Sequence, residues 1–247
     1  MPLPENPNMS NSAAMSVADP DGRAIYEGLL TAIVDQRLPP GTRLNELELT
    51  RIYHCGRRQT EAALTRLNFE SLVDFAPRRG AFVASPDEPE ARAIFAARKV
   101  IEAGIIEQAA ARASGADFRR LDANVNEEAA MRQAGRVREA IKLSGTFHLL
   151  LAEICGNPIL HAQLRQLVAR TSLVVSLYEN QATMSCWHDD HRVLVKHLRE
   201  HKVAAAARLM REHIDEIEES LDFKRKVDGR LKLRAILGAE LAAPPAH

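Results

Sequence analysis

From residue 88 to about residue 225, apolar side chains recur at intervals of three and four, and no convincing strand pattern interrupts them. That spacing places one apolar stripe along each helix. Gly115, Gly135 and the "GNP" at Gly156 to Pro158 are the punctuation. The pattern predicts helices over about 88–113, 116–134, 137–155, 158–180, 184–200 and 202–225. Amphipathic helices in an unbroken series can bury their stripes only against one another, so this half is expected to be an all-α bundle. Composition agrees, since aromatic residues make up 4% of the 247 residues while 46% are hydrophobic. A chain poor in aromatics and rich in alanine and leucine favours helices over sheets.

The front of the chain follows a different rule. Arg23 to Gln36 has helical spacing, and "RLPPGTRL" breaks it with two prolines and a glycine. Asn45 to Tyr53 predicts a short helix with Asn45 as its N-cap. A third helix is expected from Arg57 to Glu70. "SLVDF" and "GAFVAS" then read as a small β-hairpin with Arg78, Arg79 and Gly80 at its tip. Three helices and a hairpin in about 60 residues make a winged helix-turn-helix pattern. The domains expected are a disordered tail over 1–20, a winged helix over 21–84, a linker over 85–90 ("SPDEPE"), the bundle over 91–226 and a tail over 227–247. The first residues lack the basic start and apolar run of a signal peptide. No apolar run reaches the length of a membrane span. Three widely spaced cysteines (Cys55, Cys155, Cys186) suit a reducing cytoplasm, with no metal-type Cys pair.

The formal net charge is zero, so attraction to nucleic acid must come from a local patch. One exists. Between residues 51 and 80 there are six arginines and three acidic side chains, and every cation before residue 85 is arginine rather than lysine. Arginine is the fork-shaped donor suited to guanine and phosphate. In a helix-turn-helix the start of the recognition helix meets base edges in the major groove. Here those residues are Arg57, Arg58, Gln59 and Thr60. Arg78, Arg79 and Gly80 sit where a wing would touch phosphate or the minor groove. Paired arginines at a helix start and a turn are also commonly just solvated.

The stretches "LPPGTRLNE", "EAALTRLNFESLV" and "PRRGAFV" together resemble the DNA-binding domain of GntR-family transcriptional regulators. Members usually read Ser-Arg-Thr-Pro-Val-Arg-Glu at the recognition helix, whereas this chain reads Gly56-Arg57-Arg58-Gln59-Thr60-Glu61-Ala62. Arg57 keeps the first family arginine, and Glu61 replaces the second. The resemblance therefore implies an operator that departs from the common family consensus.

Three of the nine histidines fall on apolar stripes of separate helices. His148 shares a face with Ile141, Ser144, Leu151 and Cys155. His191 lies with Leu194, Val195 and Leu198, and His213 with Leu209, Ile217 and Leu221. A helical histidine among apolar neighbours is most often a hydrogen-bonded core residue. Three converging in a bundle can hold a divalent metal, zinc first and nickel or manganese next. "IFAARKVIEAGIIEQAA", "FHLLLAEICGNPIL" and "DDHRVLVKHLREHKVAAAARLMREHI" are similar to the FCD effector domain of the FadR subfamily. That likeness places His148, His191 and His213 at family metal positions, with Ser144 where an aspartate is usual. Two alternatives stay open: a metal on three imidazoles, or a metal-free site whose histidines grip a carboxylate. Arg98 matches a family arginine that faces the effector. Read alone, it is equally a surface arginine paired with Glu102.

The expected function is a ligand-responsive, cytoplasmic transcriptional regulator, a repressor by family precedent. It would bind double-stranded operator DNA as a homodimer and sense an organic acid near Arg98 and Ser144. A metal-dependent all-α enzyme at the three histidines is the alternative, weakened because no carboxylate or nucleophile accompanies them at catalytic spacing. A winged helix that binds protein is a third class, which the arginine pairs argue against.

Overall fold

The structure is a computed structural model that describes residues 22–179 and 189–224. Both predicted tails, Cys186, Trp187, His188 and the start of the helix expected at residue 184 lie outside the described residues. The head runs α1 (Arg23–Val34), β1 (Arg43–Leu44), α2 (Glu46–Ile52), α3 (Arg57–Phe69), β2 (Val73–Ala76) and β3 (Gly80–Val83). Asn45 caps α2 as expected, its side chain accepting from the Glu48 amide at 3.1 Å. The hairpin pairs Val73 with Val83 and Ala76 with Gly80. Sequence reading missed β1, which pairs Arg43 with Phe82 and gives the sheet order β1-β3-β2. Two residues show no alternation, so only their partner strand makes them a strand.

The bundle comprises α4 (Glu88–Arg112), α5 (Gly115–Gln133), α6 (Val137–Cys155), α7 (Pro158–Tyr178), α8 (Asp190–Arg199) and α9 (Val203–Glu219). Glu88 to Glu90, where the expected linker and the helix expected from residue 88 overlap, form the first turn of α4. The Asp87 side chain caps that turn by accepting from the Glu90 amide at 2.9 Å. Pro89 is tolerated there because the first-turn amides have no helical partner. The glycine after α6 has a structural reason: Gly156 adopts φ 68°, and an added Cβ would meet Arg112 at 2.7 Å. α9 stops at Glu219, short of the expected 225, because Leu221 turns aside to bridge Glu179 and the Asp222 amide donates to the Tyr178 carbonyl at 2.8 Å. Among the described residues no helix is long and apolar enough to cross a membrane.

Two cores form. The head core holds Tyr26, Leu29, Ile33, Leu49, Leu64, Leu67 and Val83, and α7 contributes Ala169 and Leu173 to it. The bundle core holds Phe95, Ile106, Leu121, Phe147, Leu151, Leu194, Met210 and Ile214, with Leu164, Val168 and Val174 from the same α7. One helix thus belongs to both cores. Polar contacts reinforce the junction. The Tyr26 hydroxyl donates to Glu70 at 2.7 Å and accepts from Arg165 of α7 at 2.9 Å. The Arg66 guanidinium lies over the Tyr26 ring at 3.6 Å. Burial and the Glu70 contact push the Tyr26 phenol up to about 12, so it remains a donor at any working pH. Lys142 of α6 pairs with Asp35 at 3.0 Å.

Candidate nucleic-acid face and effector pocket

α3 starts where Gly56 leaves extended geometry. The Gln59 side chain accepts from the Gly56 amide at 2.7 Å, satisfying an orphan helix-start donor. Arg57 is 80% exposed and Arg58 is exposed beside it. The Arg57 Nε donates to Glu61 Oε1 at 2.8 Å, and Glu46 of α2 stands 3.8 Å away. Thr60 does not join this face. It is 0% exposed, and its hydroxyl meets the Gly56 carbonyl at 3.4 Å and Cys55 Sγ at 3.5 Å. Its place on the inward side of the first turn removes it from any base contact expected of it. Glu61, Ala62 and Thr65 are exposed instead, along the line set by Arg57 and Arg58. At the wing tip Arg78 takes φ 62° and Gly80 φ 93°. A Cβ at Gly80 would meet nothing within 4 Å, so the glycine serves the backbone angle and leaves the tip open. The Arg79 guanidinium lies 5.3 Å from the Phe82 ring centroid.

The bundle brings the three histidines together. One ring nitrogen from each of His148, His191 and His213 lies within 4.8 Å of the others. Sequence reading missed what orients them. The Nδ1 of His148 meets Glu102 at 2.5 Å, that of His191 meets Glu128 at 2.7 Å, and that of His213 meets Asp190 at 3.1 Å. A carboxylate accepts, so each Nδ1 bears the proton and each Nε2 turns its lone pair inward. Phe147 stacks on His191 with ring centroids 4.1 Å apart. Burial pushes all three imidazoles below their ordinary value, outweighing the upward pull of their carboxylate partners. They are neutral at pH 7. Burial also opposes charge on Glu102, yet Arg98 and His148 overcome it and hold that carboxyl at about 2.

These residues fit a metal. The Nε2 atoms of His191 and His213 stand 3.2 Å apart, both as acceptors, an arrangement that repels without a cation between them. Two nitrogens on a tetrahedral zinc lie about 3.3 Å apart when each bond is about 2.0–2.1 Å. The Nε2 of His148 is buried with no hydrogen-bond partner among the described residues. Carboxylates behind Nδ1 are the usual outer support of metal-binding histidines. Ser144 is half-buried one turn before His148.

Arg98 is not a surface residue. It is 3% exposed, donates through Nε to Glu102 at 2.6 Å and through Nη1 to Thr171 of α7 at 3.4 Å. Its Nη2 is buried and has no hydrogen-bond partner among the described residues. A signal for the buried carboxylates was present in the sequence. Glu128 continues the stripe of Leu121 and Val125 on α5, and Glu102 falls between Phe95 and Ile106 on α4.

A winged helix with exposed arginines, joined to a bundle that buries histidines and an arginine, defines a DNA-binding regulator with a sensory domain. Residues 22–83 match the family of bacterial regulatory proteins described as gntR, and residues 93–216 match the FCD domain. The chain belongs to the GntR family of transcriptional regulators and carries an FCD domain; these families are regulators and not enzymes. It is 22% identical over 214 residues to the HTH-type transcriptional repressor RspR of Escherichia coli strain K12, spanning 86% of this chain and 94% of that one. Two solved structures share the fold. One, described as a GntR transcriptional regulator from Rhodococcus sp. RHA1, has a TM-score of 0.71 at 18% identity, covering 80% of this chain and 95% of the other. Escherichia coli McbR/YncC has a TM-score of 0.66 at 17% identity, covering 89% and 98%.

Proposed function

We propose that this regulator is a homodimeric repressor of the FadR subfamily that works in the cytoplasm and releases a pseudo-palindromic operator when a small carboxylate enters its bundle. Arg57 and Arg58 of α3 would meet base edges, with Gln59 fixing the helix start, and Arg78 and Arg79 would grip backbone beside Gly80. One recognition helix reads too few base pairs, so two-fold symmetry doubles them. The relative RspR is named a repressor, which supports that direction of control.

The observation that carries the sensory half is the buried Arg98 Nη2, unpartnered among the described residues, in the bundle that gathers the three histidines. A buried cationic donor without a partner is costly, and an anion would satisfy it. His148, His191 and His213 would hold a divalent metal, zinc by geometry, which supplies a Lewis-acidic contact for a carboxylate oxygen. Ser144, standing where relatives have an acid, leaves that side without negative charge and favours an anionic guest. Thr171 ties Arg98 to α7, and α7 is shared with the head core. An effector that draws Arg98 away from Thr171 would bias α7 and the DNA-binding head with it.

A thermal-shift series of carboxylates, with and without zinc, tests this reading. A ligand at 100 times its Kd adds about 2.7 kcal/mol to stability. The same compound should weaken binding to operator DNA. Stabilisation without any change in DNA affinity would refute the regulatory role of the pocket.

A further inference from the structure

We infer that Glu61 reads a base: its carboxylate accepts a hydrogen bond from the N4 amino group of a cytosine within about two base pairs of a guanine held by Arg57. This rests on the reading that α3 is the recognition helix. Glu61 stands on the exposed line of α3 with Arg57, Arg58, Ala62 and Thr65, and its side chain is 50% exposed. Its Oε1 accepts from Arg57 Nε at 2.8 Å, with Glu46 at 3.8 Å behind the same guanidinium. Gripping Arg57 by Nε leaves both terminal nitrogens to donate to guanine O6 and N7. It also leaves Glu61 Oε2 to accept from DNA.

Stability does not account for this pair. Exposed pairs of this spacing contribute little, and the order arginine before glutamate is the weaker one on a helix. On a surface facing phosphates a carboxylate is repelled unless it finds a donor. The major groove offers few. Guanine shows two acceptors there and thymine one; adenine sets an acceptor beside its donor, and cytosine shows a donor alone. A carboxylate therefore selects cytosine and rejects the other three bases. Four residues along a helix rise about 6 Å, which is roughly two base-pair steps of 3.4 Å.

The test is selection from random duplex DNA by the full-length protein, its E61A variant and its E61Q variant. Wild type should fix a cytosine within about two base pairs of a fixed guanine. E61A should lose the cytosine preference and keep the guanine, and E61Q should shift that position toward adenine, which glutamine pairs bidentately. Replacing that cytosine by N4-methylcytosine, which keeps the hydrogen that pairs with guanine and puts a methyl in place of the groove-facing one, should weaken wild type roughly 5- to 150-fold, the usual range for one lost base contact, and leave E61A unaffected. Identical preferences in wild type and E61A would overturn the inference. So would loss of the guanine in place of the cytosine, which would make Glu61 a positioning residue for Arg57. If wild type enriches no sequence at all, the reading of α3 as the recognition helix fails and takes this inference with it.

Discussion

Glu102→Gln isolates the buried anion on which both the histidine cluster and the bundle depend. The residue is 1% exposed and joins Arg98 at 2.6 Å to His148 at 2.5 Å. Glutamine keeps the shape but removes the charge, and its amide group must point a donor at either the Arg98 Nε–H or the His148 Nδ1–H. Breaking a buried ion pair from one side costs about 3–5 kcal/mol, because the remaining charge stays buried. The titration of Glu102 gives the same order. Its carboxyl falls from 4.5 to about 2 in the folded protein, and about 1.36 kcal/mol for each unit of that drop makes roughly 3 kcal/mol. The sign follows from linkage. The folded value is depressed, so the contribution is complete above pH 4.5 and is lost as pH falls from there toward 2. At pH 7 the variant should melt about 6–20 °C below wild type, given about 2–4 °C per kcal/mol for a chain of this size. Melts followed by circular dichroism from pH 3 to 8 measure it, and the gap between the two proteins should close toward the acid end. The double replacement R98M/E102L, which removes both charges, should recover much of the loss. A Glu102→Gln melt within 2 °C of wild type at pH 7 would refute the reasoning.

Three other outcomes are expected. Glu128→Gln, behind His191, should lower zinc affinity about 10- to 100-fold in a competitive chelator titration; unchanged affinity would remove His191 from the ligand set. Bound zinc should be retained to a pH below the ordinary imidazole value of about 6.5, because burial lowers all three histidines and protons compete less well for their lone pairs. Dialysis at stepped pH measures this, and release centred above 6.5 would contradict it. Arg57→Ala should cost roughly 1–3 kcal/mol on the best operator and relax base preference, whereas Arg79→Ala should weaken all sequences alike and flatten the salt dependence. Fluorescence anisotropy at several salt concentrations separates the two, and equal loss of preference in both would refute the division between helix and wing.

The sequence alone determined the architecture, because helix spacing, caps and turn residues are local. Asn45 capped α2, the Gly80 turn closed the hairpin, and the stripes of His148, His191 and His213 pointed all three inward. Local signals also misled in places. Thr60 counts as an early recognition-helix residue by position, but α3 rotates it onto the head core. β1 exists only because Phe82 and Ala81 of β3 lie beside it. Arg98 and Glu102 read equally well as a surface pair or a buried one, since a spacing of four residues fixes their contact and not their exposure. Only packing of α4 against α6, α7 and α9 took that pair out of water. Packing of α4 against α6 set Glu102 behind His148, and packing of α8 against α5 and α9 set Glu128 behind His191 and Asp190 behind His213, across up to 63 residues of chain. The stripes of α4 and α5 carry a sign that Glu102 and Glu128 are buried, but which histidine each meets leaves no mark at short range, because it is set by where whole helices meet.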